Sequence, residues 1–360
     1  MKTLNIGIVG CGYFGGGFAR IINELEGMRT VAVYGGSRAK PLAEELGCQM
    51  YERLEDLVAH PGLDAVVVAS PNHAHKEPVV QAANAGKHVF CEKPFALSVQ
   101  DCDEMIAACE ANGVTLMAGH IMHFMNGVQQ AKRWIEAGEI GKPIVVHAER
   151  TGWEERQAEV SWKKQSALSG GHLFHHIHEL DFLQSILGPA TEVCMTGGNL
   201  AHQGEGFGDE EDVLLLTLKC NDKFGSMQYG SGFRWGEHFV KIHGTEGSIL
   251  LDMERSKVML KKGRELIECR LNDTPEEDEA RMETYKRKSG GVFYGMRDTA
   301  LPLHLANLMK KEIRCFRDAI LGLPIDEQYA GLFDGTAARS SVATAEAAMI
   351  SMRENRWVTP

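Results

Sequence analysis

Ile6-Gly7-Ile8-Val9-Gly10-Cys11-Gly12-Tyr13-Phe14-Gly15, followed by Gly16-Gly17-Phe18-Ala19-Arg20-Ile21-Ile22, is the stretch on which the fold class turns. From Leu4 to Val9 the chain alternates and is β-branched, the pattern of a buried strand. Gly10-x-Gly12-x-x-Gly15 comes next, and Phe18 to Leu25 has helical spacing. A strand, three spaced glycines and a helix start form the turn that dinucleotides require. Gly10 permits the tight turn, Gly12 lets a pyrophosphate approach the backbone, and Gly15 lets helix pack on strand. The helix N-terminus then faces the phosphates, and Phe14 belongs to the same loop. With 39 glycines in the chain an accidental match is the plain alternative. The elements that follow at the right intervals decide against it.

Working outward, Thr30-Val31-Ala32-Val33-Tyr34 reads as a second strand, ending where such folds bind the adenosine ribose. An NAD-preferring chain commonly carries Asp or Glu there. This one has Tyr34-Gly35-Gly36-Ser37-Arg38. The missing carboxylate removes repulsion against a 2′-phosphate, and Ser37 and Arg38 can donate to one. The expectation leans to NADP, with NAD beside it; Arg38 simply opening the next helix is the competing reading. Ala65-Val66-Val67-Val68-Ala69 is a third strand, ending in Ser70-Pro71-Asn72-His73-Ala74-His75. His88-Val89-Phe90-Cys91 is a fourth, ending in Glu92-Lys93-Pro94. Strands alternating with helices build a doubly wound parallel sheet, an α/β fold whose ligands lie beyond the strands' carboxyl ends. Ser70, Asn72, His75, Glu92 and Lys93 therefore join the expected cofactor path. Pro94 biases Lys93 toward an extended backbone.

Composition narrows the function classes. The chain has 360 residues, about two domains' worth. Its net charge of −11 argues against a nucleic-acid partner, which needs a basic face. No apolar run reaches the ~20 residues of a membrane span, and no signal peptide precedes the first strand. Nine scattered cysteines with no CxxC pair read as free thiols, which suggests the cytoplasm.

Together, Gly10-x-Gly12-x-x-Gly15, Ser70-Pro71-Asn72-x-x-His75 and Ala85-Gly86-Lys87-His88-Val89-Phe90-Cys91-Glu92-Lys93-Pro94 resemble the glucose–fructose oxidoreductase/inositol dehydrogenase/MocA family. Further along, Gly119-His120-x-x-His123-Phe124 is similar to that family's passage between domains. Gly138-Glu139-Ile140-Gly141-Lys142-Pro143 is similar to its entry into the second domain, and the segment from Asp334-Gly335 to Ser351 to its last helix. The resemblance implies a Rossmann domain over residues 1–122. It also implies an α+β domain over 123–360 with an open, mainly antiparallel sheet for substrate binding and oligomerisation. It implies oxidoreduction of a secondary alcohol or ketone of a sugar, cyclitol or similar polyol. Lys93 would then polarise the reacting oxygen near the nicotinamide. A homodimer or homotetramer is expected, one subunit covering another's sheet face.

Beyond residue 142 the pattern changes to strand after strand with glycine turns, from Pro143-Ile144-Val145-Val146 to Lys257-Val258-Met259-Leu260. Without helices between them such strands pair antiparallel. The charged stretch 272–288 reads as a solvated loop or short helix. The chemistry concentrates in Gly170-Gly171-His172-Leu173-Phe174-His175-His176-Ile177-His178-Glu179-Leu180-Asp181, four of the 15 histidines in seven residues. The family's pattern is a glycine pair, an Asp, a His four residues later and a further Asp after His-x-x. His178-x-x-Asp181 matches, but Phe174 stands where the first Asp would be. Imidazole exchanges protons near neutral pH, so His178 is the expected acid/base and His175 the replacement for the lost carboxylate. His172 and His176 read as structural. If the run were one helix, His172, His175 and His176 would share a face, and a metal would be the alternative; the reading adopted assigns none.

Three functions remain open at this stage. The first is an NAD(P)-dependent dehydrogenase. The second is a redox-neutral lyase or glycosidase that oxidises its substrate only transiently. The third is a non-catalytic dinucleotide sensor.

Overall fold

In the computed structural model, which describes residues 3–286 and 300–360, six strands make one parallel sheet. They are β1 (Leu4–Val9), β2 (Met28–Tyr34), β3 (Gln49–Tyr51), β4 (Ala65–Val68), β5 (His88–Glu92) and β6 (Leu116–Gly119). Their order is β3-β2-β1-β4-β5-β6, and every pair is parallel. The crossovers are α1 (Tyr13–Glu24), α2 (Ala39–Leu46), α3 (Leu54–Val58), α4 (Lys76–Asn84) and α5 (Val99–Ala111). Helices on both faces explain why Ala65-Val66-Val67-Val68 is apolar throughout and fully buried. The strand order reverses between β1 and β4. The loops after these two strands flank the switch point where open α/β sheets bind ligands.

The second sheet has eight strands. These are β7 (Pro143–Thr151), β8 (Glu192–Gly198), β9 (Val213–Cys220), β10 (Lys223–Gly230), β11 (His238–Gly244), β12 (Ser248–Asp252), β13 (Lys257–Lys262) and β14 (Glu265–Arg270). The order is β14-β13-β12-β11-β7-β10-β9-β8. All neighbours are antiparallel except β7 and β10, which run parallel with Phe224 opposite Val145 and Gly230 opposite Thr151. The sheet is mainly antiparallel, as expected, and the one parallel pair joins strands that are not consecutive in the chain. More than 70 residues separate the pair, including α7 (Ser166–Ser169), α8 (His172–His175) and α9 (His178–Leu187), enough chain for a crossover. Leu214, Leu216 and Leu218 of β9, and Val240 and Ile242 of β11, point to the buried face, where α9 packs on β7 and β10. The opposite face carries Leu215, Phe224, Phe239 and Leu250.

Helices α6 (Asn126–Glu136), α10 (Pro275–Lys286), α11 (Leu303–Ile320), α12 (Ala330–Phe333) and α13 (Thr336–Glu354) complete the chain. The charged stretch 272–288 is thus largely α10; its last two residues lie outside the described ones. By contacts the chain divides into two units. One comprises Met1–Ile121, Tyr294–Leu301 and Leu305–Arg339; the other comprises Met122–Phe293, Pro302–His304 and Ser340–Pro360. Among the described residues no helix is long and apolar enough to cross a membrane.

Candidate active site

The first unit builds a cradle from backbone alone. Gly10 has φ +91°, and a Cβ there would stand 2.5 Å from the amide nitrogen of Ser70. Only glycine combines that conformation with that approach. A Cβ on Gly15 would lie 1.9 Å from the Gly10 carbonyl oxygen, so helix α1 rests directly on the turn. Gly12 is the reverse case: exposed, with nothing within 4 Å of a built Cβ. The surface in front of it is open. Gly12 is also the N-cap of α1, with no side-chain cap and no acid in the first turn. Uncapped amide donors at the positive end of a helix, facing open space, fit a pyrophosphate. Phe14 is the second residue of α1, its ring edge-on to Tyr13 at 5.3 Å.

The adenosine end is equally open to inspection. The Gly10 amide donates to Tyr34 O (2.8 Å) and the Cys11 amide to Gly35 O (3.0 Å), tying the loop to the end of β2. Gly35 and Gly36 both have positive φ, +87° and +85°. Ser37 is exposed, and Arg38 is the N-cap of α2, with no side-chain capping hydrogen bond. No acid follows β2, as the sequence requires.

Beyond β4, Ser70 Oγ donates to Ala74 O at 2.8 Å and shapes the turn that carries buried Asn72. His75 is buried with Nδ1 2.9 Å from Pro94 O and Nε2 2.9 Å from Ser70 O. Burial, with the Lys93 charge adding to it and the backbone carbonyls opposing, pushes this imidazole below its usual range. His75 therefore staples the Ser70 turn to the Lys93-Pro94 turn, a bracing role that the sequence reading of it as a cofactor-path residue did not include. The Lys93–Pro94 bond is cis, and the Lys93 amide donates to Glu92 Oε2 at 3.1 Å. Burial raises the Glu92 carboxyl to about 7, with Lys93 pulling the other way.

The second unit holds the histidines. Gly170 and Gly171 both adopt positive φ (+82° and +84°). Helix α8 starts at His172 but breaks after His175, and α9 starts afresh at His178. His172 and His175 thus share α8 with His176 at its C-cap, and only His178 lies on the next helix. Their rings still crowd: His172 and His176 are 4.6 Å apart by centroid, His175 and His176 4.8 Å. Among the described residues no three His, Cys, Asp or Glu side chains converge as a metal-holding group. His172 and His176 are buried, whereas His175 and His178 are half-buried. Trp162 meets His175 edge-on at 5.9 Å. Phe174 is core, so no carboxylate occupies the position before His178 that the resemblance would fill.

A carboxylate is present nonetheless, one residue after His178. Glu179 Oε1 lies 2.6 Å from His238 Nε2 and 3.3 Å from Arg150, and Tyr229 donates to Oε2. Tyr229 also donates to the His176 carbonyl (3.1 Å), and Tyr285 meets His238 Nδ1 at 2.5 Å. Burial alone would raise the Glu179 carboxyl. Arg150, the His238 hydrogen bond and the charges of His238 and His178 hold it well below the usual carboxylate range. A permanent anion, it fixes the backbone on which His176 and His178 sit.

Sequence reasoning also passed over Asp209-Glu210-Glu211-Asp212, although four successive acids before a strand are a visible signal. Asp209 accepts from the Ser166 amide, Asp212 from the amides of Leu200, Ala201 and His202. Glu210 lies 2.5 Å from Lys164 and 3.5 Å from His172, and Lys164 reaches Glu154 at 2.7 Å. This acidic run anchors the segment that leads into the glycine pair and positions His172. By unit, Gly10, Ser70, His75, Glu92 and Lys93 belong to the first, and His175 and His178 to the second.

Residues 4–120 match the family model described as oxidoreductase family, NAD-binding Rossmann fold, and residues 132–359 match its C-terminal alpha/beta domain. The chain is 44% identical over 362 residues to a 2,7-anhydro-N-acetylneuraminate hydratase of Mediterraneibacter gnavus, covering 99% of this chain and 97% of that protein. It is 45% identical over 359 residues to a protein of the same name from Escherichia coli, covering 99% and 96%. An oxidoreductase from Agrobacterium radiobacter, solved with NAD+, L-tartaric acid and magnesium, shares the fold with a TM-score of 0.77 at 20% identity over 99% of this chain and 98% of that one.

Proposed function

The chain belongs to the glucose–fructose oxidoreductase/inositol dehydrogenase/MocA family of NAD-binding oxidoreductases, and from that premise we propose that it opens an anhydro-sugar acid by redox-neutral addition of water. The observation that carries this reading is near-end-to-end identity of 44–45% with two proteins named 2,7-anhydro-N-acetylneuraminate hydratase. Such a substrate has an internal ether, and its opening by water changes no net oxidation state. It belongs to the second of the three functions left open by the sequence, which here displaces the simple dehydrogenase.

A bound nicotinamide would supply reversible hydride removal at a carbinol two carbons from the ether carbon, which acidifies the C–H between them so that the ether oxygen can depart and water can add. The cradle of Gly10, Gly12 and Gly15 would hold the pyrophosphate, and Ser37 and Arg38 the ribose end, where NADP is the form we favour. Lys93 would stabilise the oxygen that becomes a carbonyl. His178, on a backbone held by Glu179, would take and return the proton, with His175 contacting substrate oxygens. The replacement of a carboxylate by imidazole-rich surroundings supports proton exchange at carbon and oxygen near neutral pH.

The test is turnover of 2,7-anhydro-N-acetylneuraminate with dinucleotide at catalytic amounts. We expect many moles of ring-opened product per mole of dinucleotide and no lasting rise at the reduced-nicotinamide band. One mole of reduced dinucleotide per mole of product would restore the dehydrogenase reading. The family's description as an oxidoreductase favours that as the second choice.

A further inference from the structure

Glu312 is an ionisable side chain in a place that offers it no partner among the described residues. It lies on α11, is 0% exposed, and neither carboxyl oxygen has a hydrogen-bond partner among the described residues. One turn further along the same helix face, Phe316 packs against Phe90 with ring centroids 5.9 Å apart. Phe90 lies on β5, and Glu92 is two residues on, projecting from the same side of the strand. The phenylalanine contact thus sets the register in which Glu312 faces Glu92. All four residues belong to the first unit.

Among the described residues no cation bonds either Glu312 oxygen, and Lys310, two residues away on α11, is paired with Glu24. From β5 come Glu92 and, after it, Lys93. From β6 comes Gly119, whose built Cβ would stand 3.2 Å from Glu92 Cα, followed by buried His120. From the turn after β4 comes His75, held on Pro94 O. From α1 come Gly17, beside Met309 of α11, and Glu24, paired with Lys310 at 2.5 Å. On α11 itself Cys315 is the nearby titratable group. Burial, followed by the charges of Glu312, Asp318 and Asp326, pushes its thiol up to about 12.

We propose that buried Glu312 and half-buried Glu92 form a carboxyl pair that holds one proton, Glu312 keeping it, so that the charge set against Lys93 is carried and switched by Glu92 alone. Two like charges in such a site do not ionise together. Burial, and then the Glu92 charge, raises Glu312 well above the ordinary carboxylate range, which leaves Glu92 as the member that ionises first. The inference rests on the catalytic reading of Lys93, but its first test does not need turnover.

That test is pH-difference infrared spectroscopy of the protein loaded with NAD, comparing wild type with Glu312→Gln, Glu312→Leu and Glu92→Gln. Wild type at pH 8 is expected to keep one protonated, buried carboxyl band. Either Glu312 variant should lose it. Glu92→Gln should keep it and move its disappearance at least one pH unit lower, a tenfold fall in proton affinity, because the facing anion is gone. No such band in wild type, a band surviving in both Glu312 variants, or a midpoint unmoved in Glu92→Gln would each overturn the pair. The second readout is the pH profile of turnover. Glu92→Gln should alter the limb near neutral pH, leaving the part that His178 contributes, and Glu312→Gln should preserve it. A profile in which Glu312→Gln changes that limb and Glu92→Gln does not refutes the assignment of the switching charge to Glu92, while the infrared result separately decides whether the pair exists.

Discussion

His123 and Asp181 are 58 residues apart in the chain and meet in the interior of the second unit, Nε2 to Oδ2 at 2.6 Å, both nearly inaccessible to solvent. Lys132 Nζ lies 3.0 Å from His123 Nδ1, and Ser341 donates to Asp181 Oδ1 at 3.1 Å. A lysine only donates, so Nδ1 accepts and the imidazole proton faces Asp181. The pair joins the two motif segments Gly119-His120-x-x-His123 and His178-x-x-Asp181, and it fixes the helix on which His178 opens.

Asp181→Ala should therefore act first on stability. Removing one partner of a buried, hydrogen-bonded pair leaves the other uncompensated and costs about 3–5 kcal/mol. Asp181→Asn, which keeps an acceptor for the imidazole N–H, should cost clearly less. Urea unfolding of the two variants at neutral pH measures the difference; equal and small losses would show that the pair does not hold α9 in place.

Much of this was legible beforehand, for identifiable reasons. The parallel sheet could be read because β4 is buried on both faces and carries a continuous apolar run, and because Gly10 and Gly15 occupy positions where any Cβ collides with backbone. The β7–β10 parallel pair could not, since pairing partners 79 residues apart (Phe224 opposite Val145) leave no local signature. The histidine segment showed its composition but not its break after His175. Nor did Glu179 announce itself, because its partners Arg150, Tyr229 and His238 come from three separate strands.

Arg38 separates the two dinucleotides. If its guanidinium meets a 2′-phosphate, Arg38→Ala should weaken NADP by about tenfold or more and NAD by little, since only one of them carries the charge. Equilibrium binding of both reduced forms to the same preparations provides the comparison. An equal loss, or none, assigns Arg38 to the helix start alone.

The outward face of the second sheet carries Leu215 and Phe224, 45% and 49% exposed, beside Phe239 and Leu250. Apolar side chains alternating outward on a sheet face are those another surface covers. A homodimer or homotetramer through this face is our proposal, and sedimentation at micromolar concentration should show it. Leu215→Lys with Phe224→Glu should shift the population to monomer. A wild-type chain that sediments as a monomer ends the proposal.

Glu179 links the site to acid. Its folded value lies well below the ordinary carboxylate range, through Arg150 and the surrounding histidines against the opposing effect of burial. A group depressed on folding contributes stability that is fully present above its unfolded pKa and is lost as pH falls through the folded one. The wild type should hold this contribution at pH 7 and lose it progressively below about pH 4. Glu179→Gln, leaving Arg150 without its anion, should be less stable by about 3–5 kcal/mol at pH 7 and show a flatter acid limb. Denaturant midpoints followed from pH 7 down to about pH 2 test both; parallel curves for the two proteins would mean that the anion is not what holds the network.

Lys93, His178 and His175 divide the proposed chemistry and should fail in different ways. Lys93→Met removes an ammonium without changing the cradle of Gly10, Gly12 and Gly15, so dinucleotide binding should survive while kcat falls by about two to four orders of magnitude. His178→Ala should lower kcat to a similar degree. His175→Ala should mainly raise KM if His175 only holds substrate oxygens. In a redox-neutral reaction the proton and hydride steps separate. His178→Ala would then still allow a first, single-turnover reduction of bound dinucleotide while product formation stops, whereas Lys93→Met would suppress both. A metal-dependent site would behave otherwise: a chelator would abolish activity, and replacing His172, His175 or His176 would each release the ion. If His178→Ala keeps near-normal kcat and His175→Ala does not, the acid/base is His175, and the proton passes through the imidazole that stands against Trp162.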